Sequence, residues 1–180
     1  PILSHLRHKR VIRALTTVLR DNLDSEQSVV GLTAKCLAGF VYAIVVRNKT
    51  LEQEARLIAG RLAPNLEEAT FNTISRFATK PSVEDISSYQ QTLLDLSALP
   101  GVSERDAAAI LLARAASSSP AQIDFKFLTE ISPLLTPASI IELVVWLSVQ
   151  QLLQRLGSFY AITEGYGAHT DSQAASNRTT

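Results

Sequence analysis

One stretch of the sequence places polar and aromatic residues at the spacing of a helical turn. Glu142, Trp146 and Gln150 follow at four-residue intervals, and Gln151 and Arg155 lie on an adjoining face. A carboxylate beside a guanidinium and an aromatic wall could hold a small carboxylate substrate or transfer a proton. The candidate catalytic residues are therefore Glu142 and Arg155, and the candidate substrate-binding residues are Trp146, Gln150 and Gln151. An exposed stripe or a subunit interface, where Trp and Arg are enriched, is the simpler alternative.

Two further side chains capable of chemistry lie in the most apolar stretch, residues 29–46. Tyr42 is a candidate substrate-binding residue, although a buried tyrosine is first of all a core residue whose hydroxyl needs a partner. Cys36 is the only cysteine, which excludes an intramolecular disulfide and a cysteine-rich zinc site. Apolar residues surround Cys36, and Lys35 points elsewhere, so we expect a packed and unreactive thiol.

The rest of the sequence argues against several classes of function. Lys plus Arg and Asp plus Glu both number 17, so no net charge holds nucleic acid and we do not expect the chain to bind it. There is no glycine-rich phosphate loop, no His-Glu-x-x-His pattern and no Gly-x-Ser-x-Gly elbow. We expect neither a cofactor nor a metal ion. The uninterrupted apolar run, residues 36–46, is too short to span a membrane, and without a secretory signal we expect a cytoplasmic or otherwise intracellular protein.

Capping signals predict where the helices that carry these side chains begin. Apolar residues recur at three- and four-residue spacings, and no convincing pair of strands is seen. Thr50 and Asn65 are the predicted caps of the third and fourth helices. Ser103 with Asp106 is predicted to cap an Ala-rich helix, and Thr136 to cap the last long helix.

The predicted architecture is all-α, a compact bundle of seven to eight helices. Residues 29–46 and 136–162 carry the longest apolar surfaces and are expected near its centre. Residues 1–163 are expected to form a single helical domain. Residues 164–180 have almost no apolar content and are expected to form a flexible C-terminal tail.

Three segments in the second half of the chain carry a resemblance to a known family. They are an Ala-rich helix, ERDAAAILLARAA, a short helix, QIDFKFLTEI, and a long helix, LTPASIIELVVWLSVQQLLQRLGSFYAI. The pattern resembles the carboxymuconolactone decarboxylase and alkyl hydroperoxidase D superfamily, especially its peroxidase-related two-repeat branch. In that branch the last long helix often ends in an Asn-Arg-Leu-like element, and Gln154-Arg155-Leu156 stands in that place. The resemblance implies an alkyl hydroperoxidase D-like bundle, homo-oligomers and independence of cofactors.

The residues that give this superfamily its thiol chemistry are missing here. The resemblance places a Cys-x-x-Cys pair near Val45 and Asn48, and a histidine near Glu52. Cys36 lies too early in the chain and has no second sulfur with which to form a catalytic disulfide. Thiol peroxidase activity is therefore not expected. The decarboxylase branch works through histidine and other polar groups, but the three histidines of this chain lie outside the predicted core helices.

The sequence leaves two hypotheses about function open. The first is a divergent, thiol-free enzyme of the carboxymuconolactone decarboxylase-like superfamily that acts on a small organic substrate. The second is a non-catalytic helical subunit that binds a partner on the same scaffold. The enzyme requires Glu142 and Arg155 to face a pocket of roughly 300 Å³ or more, whereas the subunit requires them in an interface or in solvent. Self-association through the apolar last helix is expected in either case.

Overall fold

The computed structural model describes residues 8–80, 86–119 and 121–176, with residues 86–88 and 159–176 described by their backbone alone. No strand occurs in these ranges. The predicted all-α class, a compact bundle of seven to eight helices, is therefore confirmed. The helices in these ranges are α1 (Lys9–Asn22), α2 (Leu32–Val45), α3 (Lys49–Leu62), α4 (Glu68–Thr79), α5 (Ile86–Ser97), α6 (Glu104–Ser117), α7 (Phe125–Ile131) and α8 (Pro137–Ser176).

Capping side chains fix where several helices begin. Ser103 and Asp106 form the predicted capping box of α6, in which each side chain accepts from the backbone N–H of the other residue. Thr136 caps α8 as predicted. At α3 the prediction is wrong by two residues, because the Asn48 side chain, and not that of Thr50, accepts the capping hydrogen bond.

Helix α2 lies at the centre of the core. Residues 34–44 are all buried, and the helix packs against α3, α4, α6 and α8. Its most extensive neighbour is α6, whose alanines are small enough to let two helices approach closely. The sequence predicts residues 136–162 near the centre with α2. Helix α8 does pack against α2, but with one face only, and the Ala-rich α6 shares the centre.

Helix α8 is longer than the sequence predicts. It continues to residue 176 instead of ending near residue 162. The flexibility predicted for residues 164–180 stays a prediction, and residues 177–180 lie outside the described ranges. Neither α8 nor any other helix in the described ranges is apolar over enough of its length to cross a membrane.

The turn between α5 and α6 requires glycine at position 101. Gly101 has a φ of 76°, and a Cβ there would lie 2.5 Å from the backbone oxygen of Asn65. The buried Thr70 hydroxyl donates to the Pro100 carbonyl oxygen at 3.1 Å, which ties α4 to this turn. Asn65, predicted to cap α4, lies instead in the loop before it, since α4 begins at Glu68.

Candidate functional site

Glu142, the carboxylate predicted to be catalytic, forms an ion pair between α8 and α2. Its Oε1 lies 2.5 Å from Nζ of Lys35, a side chain that is only 2% exposed. Its Oε2 accepts from the backbone N–H groups of Val29 and Val30, each at 3.0 Å. The Lys35 ammonium also donates to the backbone oxygen of Asn22 at the end of α1. The pair therefore joins α1, the loop before α2, α2 itself and α8 at one point.

The surroundings of Glu142 keep its carboxyl group ionised. Burial by itself raises the pKa, but hydrogen bonds from Lys35, Ser28 and the Val30 N–H, together with the Lys35 charge, outweigh burial and lower the pKa of Glu142. A carboxylate with a lowered pKa that already accepts from an ammonium and two backbone N–H groups is a poor general base. The geometry points to a structural role for this residue.

A cleft of about 290 Å³ opens one to three turns further along α8. It lies between α8, α3, the middle of α2 and α1. Most of its wall is apolar, which suits the burial of an organic molecule. The aliphatic lining residues are Leu19, Leu51, Ala55, Leu57, Ile58 and Leu153.

Two of the predicted substrate-binding residues, Trp146 and Gln150, line this cleft. Both are buried, and the Trp146 Nε1–H donates to the backbone oxygen of Lys35 at 2.7 Å. Gly39 makes this packing of α8 on α2 possible. A Cβ at Gly39 would lie 3.3 Å from Trp146 Nε1, a tight contact, and 3.6 Å from Gln150 Cδ, an ordinary one, so a side chain at position 39 would press on the indole.

Two charged residues of α3, Glu54 and Arg61, complete the lining of the cleft. They are seven residues apart, or about 10 Å along the helix axis. Glu54 is half-buried, and Arg61 is exposed. The cleft thus combines an apolar interior with one carboxylate and one guanidinium on the same wall, two helical turns apart.

Cys36 also lines the cleft, but its thiol is poorly suited to redox or nucleophilic chemistry. Burial raises the pKa of the Cys36 thiol from 9.0 to about 11. At neutral pH the group is therefore a protonated thiol, and the thiolate is the reactive form. Cys36 contributes apolar surface to the cleft.

The remaining candidates lie elsewhere on α2 and α8. The Tyr42 hydroxyl donates to Gln154 Oε1 at 2.6 Å. Burial raises the pKa of Tyr42, while the charge of Arg155 opposes the rise. Arg155 and Gln151 are exposed. None of these residues lines the cleft.

The structure thus divides the predicted stripe. It brings Trp146 and Gln150 together at a cleft close to the expected size. The enzyme hypothesis requires Glu142 and Arg155 to face that pocket, but neither lines it, because Glu142 contacts Lys35 and Arg155 is exposed. In the part of the chain that the structure describes, no three His, Cys, Asp or Glu side chains are placed to share a metal ion.

The chain matches no family model, no curated protein and no solved structure. The cleft and its lining residues are therefore the basis for a functional proposal.

Proposed function

We propose that this protein binds a small, largely apolar organic molecule in the cleft between α1, α2, α3 and α8. The observation that carries the proposal is the cleft itself, about 290 Å³ in volume and lined by aliphatic side chains from α1, α3 and α8 around the single tryptophan of the chain. Pockets that bind small molecules usually have volumes of about 300 Å³ or more, so the ligand would be at the small end of the usual range.

Binding without catalysis fits the lining residues better than an enzyme does. The lining residues at the α2 and α8 wall are Cys36, Gly39, Trp146, Gln150 and Leu153, none of which is an ionised acid or base at neutral pH. A catalytic version of the proposal, a divergent thiol-free enzyme of the carboxymuconolactone decarboxylase-like superfamily, would have to use a charged group on α3. Membership of that superfamily and an alkyl hydroperoxidase D-like subtype remain part of this second candidate.

The single tryptophan provides the test. Titration with toluene should give a saturable change in Trp146 fluorescence, with a dissociation constant of roughly 0.1–1 mM for so small a ligand. Ala55→Leu adds bulk to the α3 wall and should weaken toluene binding by about tenfold or more. Circular dichroism and thermal unfolding would check that the variant is folded.

A glycine on the same helix supplies the control. Gly60 is exposed, and a Cβ there meets nothing within 4 Å, so Gly60→Ala should leave toluene affinity within about twofold and the fold intact. The absence of a saturable fluorescence change, or equal binding by wild type and Ala55→Leu, would contradict the proposal.

We also propose that two copies of the chain associate through the outer face of α8. Ile141, Val144, Val145 and Leu152 are exposed on this face, which we call the α8 seam. The positions 141, 145 and 152 repeat at intervals of four and seven residues, the spacing with which helices pair in coiled coils. A second copy presents the same seam, so a two-fold axis would cover both.

Sedimentation velocity tests the self-association. The wild type should sediment as an oligomer at high micromolar concentration, and Ile141→Glu with Val145→Glu should sediment as a monomer. Leu94 on α5 is as exposed as Ile141, so Leu94→Glu is the matched control and should leave the oligomer intact. A monomeric wild type at that concentration would rule out the pairing.

A further inference from the structure

Gln150 is a buried residue whose carboxamide has no hydrogen-bond partner among the described residues. The side chain is only 4% exposed, and no hydrogen bond joins its amide to any residue that the structure describes. The side-chain nitrogen and oxygen atoms that are sealed from solvent in the described ranges all have partners, so the Gln150 amide is not fully sealed, and Gln150 lines the cleft. An amide in this position depends on whatever occupies the cleft.

The polar groups one turn away on either side of Gln150 are paired. The Trp146 Nε1–H donates to the Lys35 backbone oxygen, and Gln154 Oε1 accepts from the Tyr42 hydroxyl. Gln150 lies between them on the same helix and lines the cleft. Because Gly39 opposite has no side chain, the carbons of Gln150 can pack closely on α2 without a polar contact there.

The chemistry of a carboxamide sets what it can recognise. It has an acceptor oxygen and a donor NH₂ side by side, so the matching partner carries one donor and one acceptor in the same arrangement. A hydrocarbon that displaced water from Gln150 would leave both groups unpaired, whereas a matching amide would replace the hydrogen bonds of the water.

The charges around the cleft favour a neutral partner. Lys35 precedes the lining residue Cys36, but its ammonium is paired with Glu142. The charged lining residues Glu54 and Arg61 both belong to α3. The lining residues of α2 and α8, including Gln150, carry no charge, so an ionised group next to Gln150 would leave water without a charged partner on that wall, which is costly.

We propose that Gln150 is the recognition residue of the cleft and that its ligand carries a neutral carboxamide or lactam group on a small apolar body. This inference rests on the proposed small-molecule binding and adds the chemical class of the ligand. The apolar body occupies the aliphatic part of the cleft, and the amide group forms two hydrogen bonds with Gln150.

The test compares benzamide with toluene, which shares its ring and lacks the amide. The affinity for benzamide is divided by the affinity for toluene, first in the wild type and then in Gln150→Leu. In the quotient of these two ratios, the cost of taking each compound out of water cancels. We expect this quotient to be about ten or more, since the leucine leaves the benzamide amide unpaired. Tryptophan fluorescence or calorimetry measures all four affinities.

The next residue on α8 is the matched control. Gln151 is an exposed glutamine that does not line the cleft, so Gln151→Leu should leave the affinity ratio within about twofold. An unchanged ratio in Gln150→Leu, or an equal change in Gln151→Leu, overturns the role of Gln150. If the wild type does not bind toluene, the proposed function itself is overturned. Failure of the Gln150 proposal and failure of the proposed function are therefore distinguishable.

A second variant and a second ligand test the neutral class. Gln150→Glu replaces the amide by a carboxylate that only accepts, so it should bind the benzamidinium cation about tenfold or more tightly than the wild type does. The wild type should prefer benzamide to benzoate by about tenfold or more. Preference for benzoate, or no gain of benzamidinium binding in Gln150→Glu, overturns the assignment of a neutral amide ligand.

Discussion

Replacing Glu142 with alanine should lower the free energy of unfolding by about 3–5 kcal/mol, the usual cost of leaving a buried charge without its partner. The Lys35 ammonium, with only 2% of its side chain exposed, would lose the carboxylate at 2.5 Å. The N–H groups of Val29 and Val30 would lose their acceptor at the same time. Urea unfolding of the wild type and the variant at neutral pH measures the difference.

An exposed pair of the same chain supplies the control for this prediction. Nζ of Lys49 lies 2.8 Å from the Glu52 carboxylate, but the lysine side chain is 84% exposed, so Lys49→Ala should cost less than about 1 kcal/mol. Lys35→Met combined with Glu142→Leu should be considerably more stable than Glu142→Ala, because it does not leave the buried ammonium of Lys35 without a partner. Equal costs for Glu142→Ala and Lys49→Ala would contradict the structural role of the buried pair.

The same ion pair predicts how stability depends on pH. Burial raises the pKa of Glu142, but the hydrogen bond and the charge of Lys35 outweigh burial and lower this pKa below its ordinary value of 4.5. The stability that the carboxylate contributes is therefore present above the unfolded-state pKa and is lost as pH falls through the lower folded-state pKa. The wild type should lose more stability than Glu142→Gln when the pH is lowered from about 7 to about 3.

The structural role of Glu142 also changes how its catalytic assignment has to be tested. Loss of activity in Glu142→Ala could follow from unfolding alone. The combined Lys35→Met and Glu142→Leu variant removes the carboxylate while limiting the loss of stability, so its activity is the informative one. An activity lost in that variant, with the fold retained, would restore Glu142 as a catalytic candidate.

The parts of the fold that the sequence predicts correctly depend on local interactions. The Ser103 and Asp106 capping box and the Thr136 cap involve residues three positions apart, so their signals lie within one turn of sequence. The Asn48 cap was open to prediction in the same way, since asparagine precedes the third helix. The central position of α6 could not be predicted in this way. A run of alanines predicts a helix but does not indicate how closely another helix approaches it.

The ion pair of Lys35 and Glu142 could not be read from local pattern. The two residues come from different helices far apart in the chain, and a periodicity argument treats each helix alone. A signal was present nevertheless. Lys35 stands in an otherwise apolar stretch, and a lysine buried in a helix that is apolar all round requires an acidic partner.

The division of the predicted stripe follows from helical geometry. Residues four apart advance by about 40° around a helix, so Glu142 and Gln150 differ in direction by about 80°. Glu142 can therefore contact Lys35 while Gln150 lines the cleft. Arg155 lies about 140° from Gln150 by the same measure, which is why it is exposed and does not share the pocket.

Truncation of Trp146 should also have a large effect on stability, like the replacement of Glu142. Trp146→Ala should lower the free energy of unfolding by about 3–5 kcal/mol, because the indole is buried between α8 and α2 and its loss would enlarge the cleft. Trp146→Phe should cost only about 1–2 kcal/mol, since it keeps most of the ring volume and removes mainly the N–H that donates to Lys35. Denaturant unfolding followed by circular dichroism measures both without the tryptophan signal.

Leu94→Ala, at an exposed position on α5 outside the α8 seam, is the control for this prediction and should cost less than about 1 kcal/mol. Trp146 and Glu142 bind the same residue of α2, one through the Lys35 backbone oxygen and the other through its ammonium. Side chains that share a partner are coupled, so Glu142→Ala with Trp146→Ala should cost less than the sum of the single variants by about 1 kcal/mol or more. Strict additivity would show that the two contacts hold α8 to α2 independently. A cost for Trp146→Ala no larger than that of Leu94→Ala would contradict the burial of the indole at this junction.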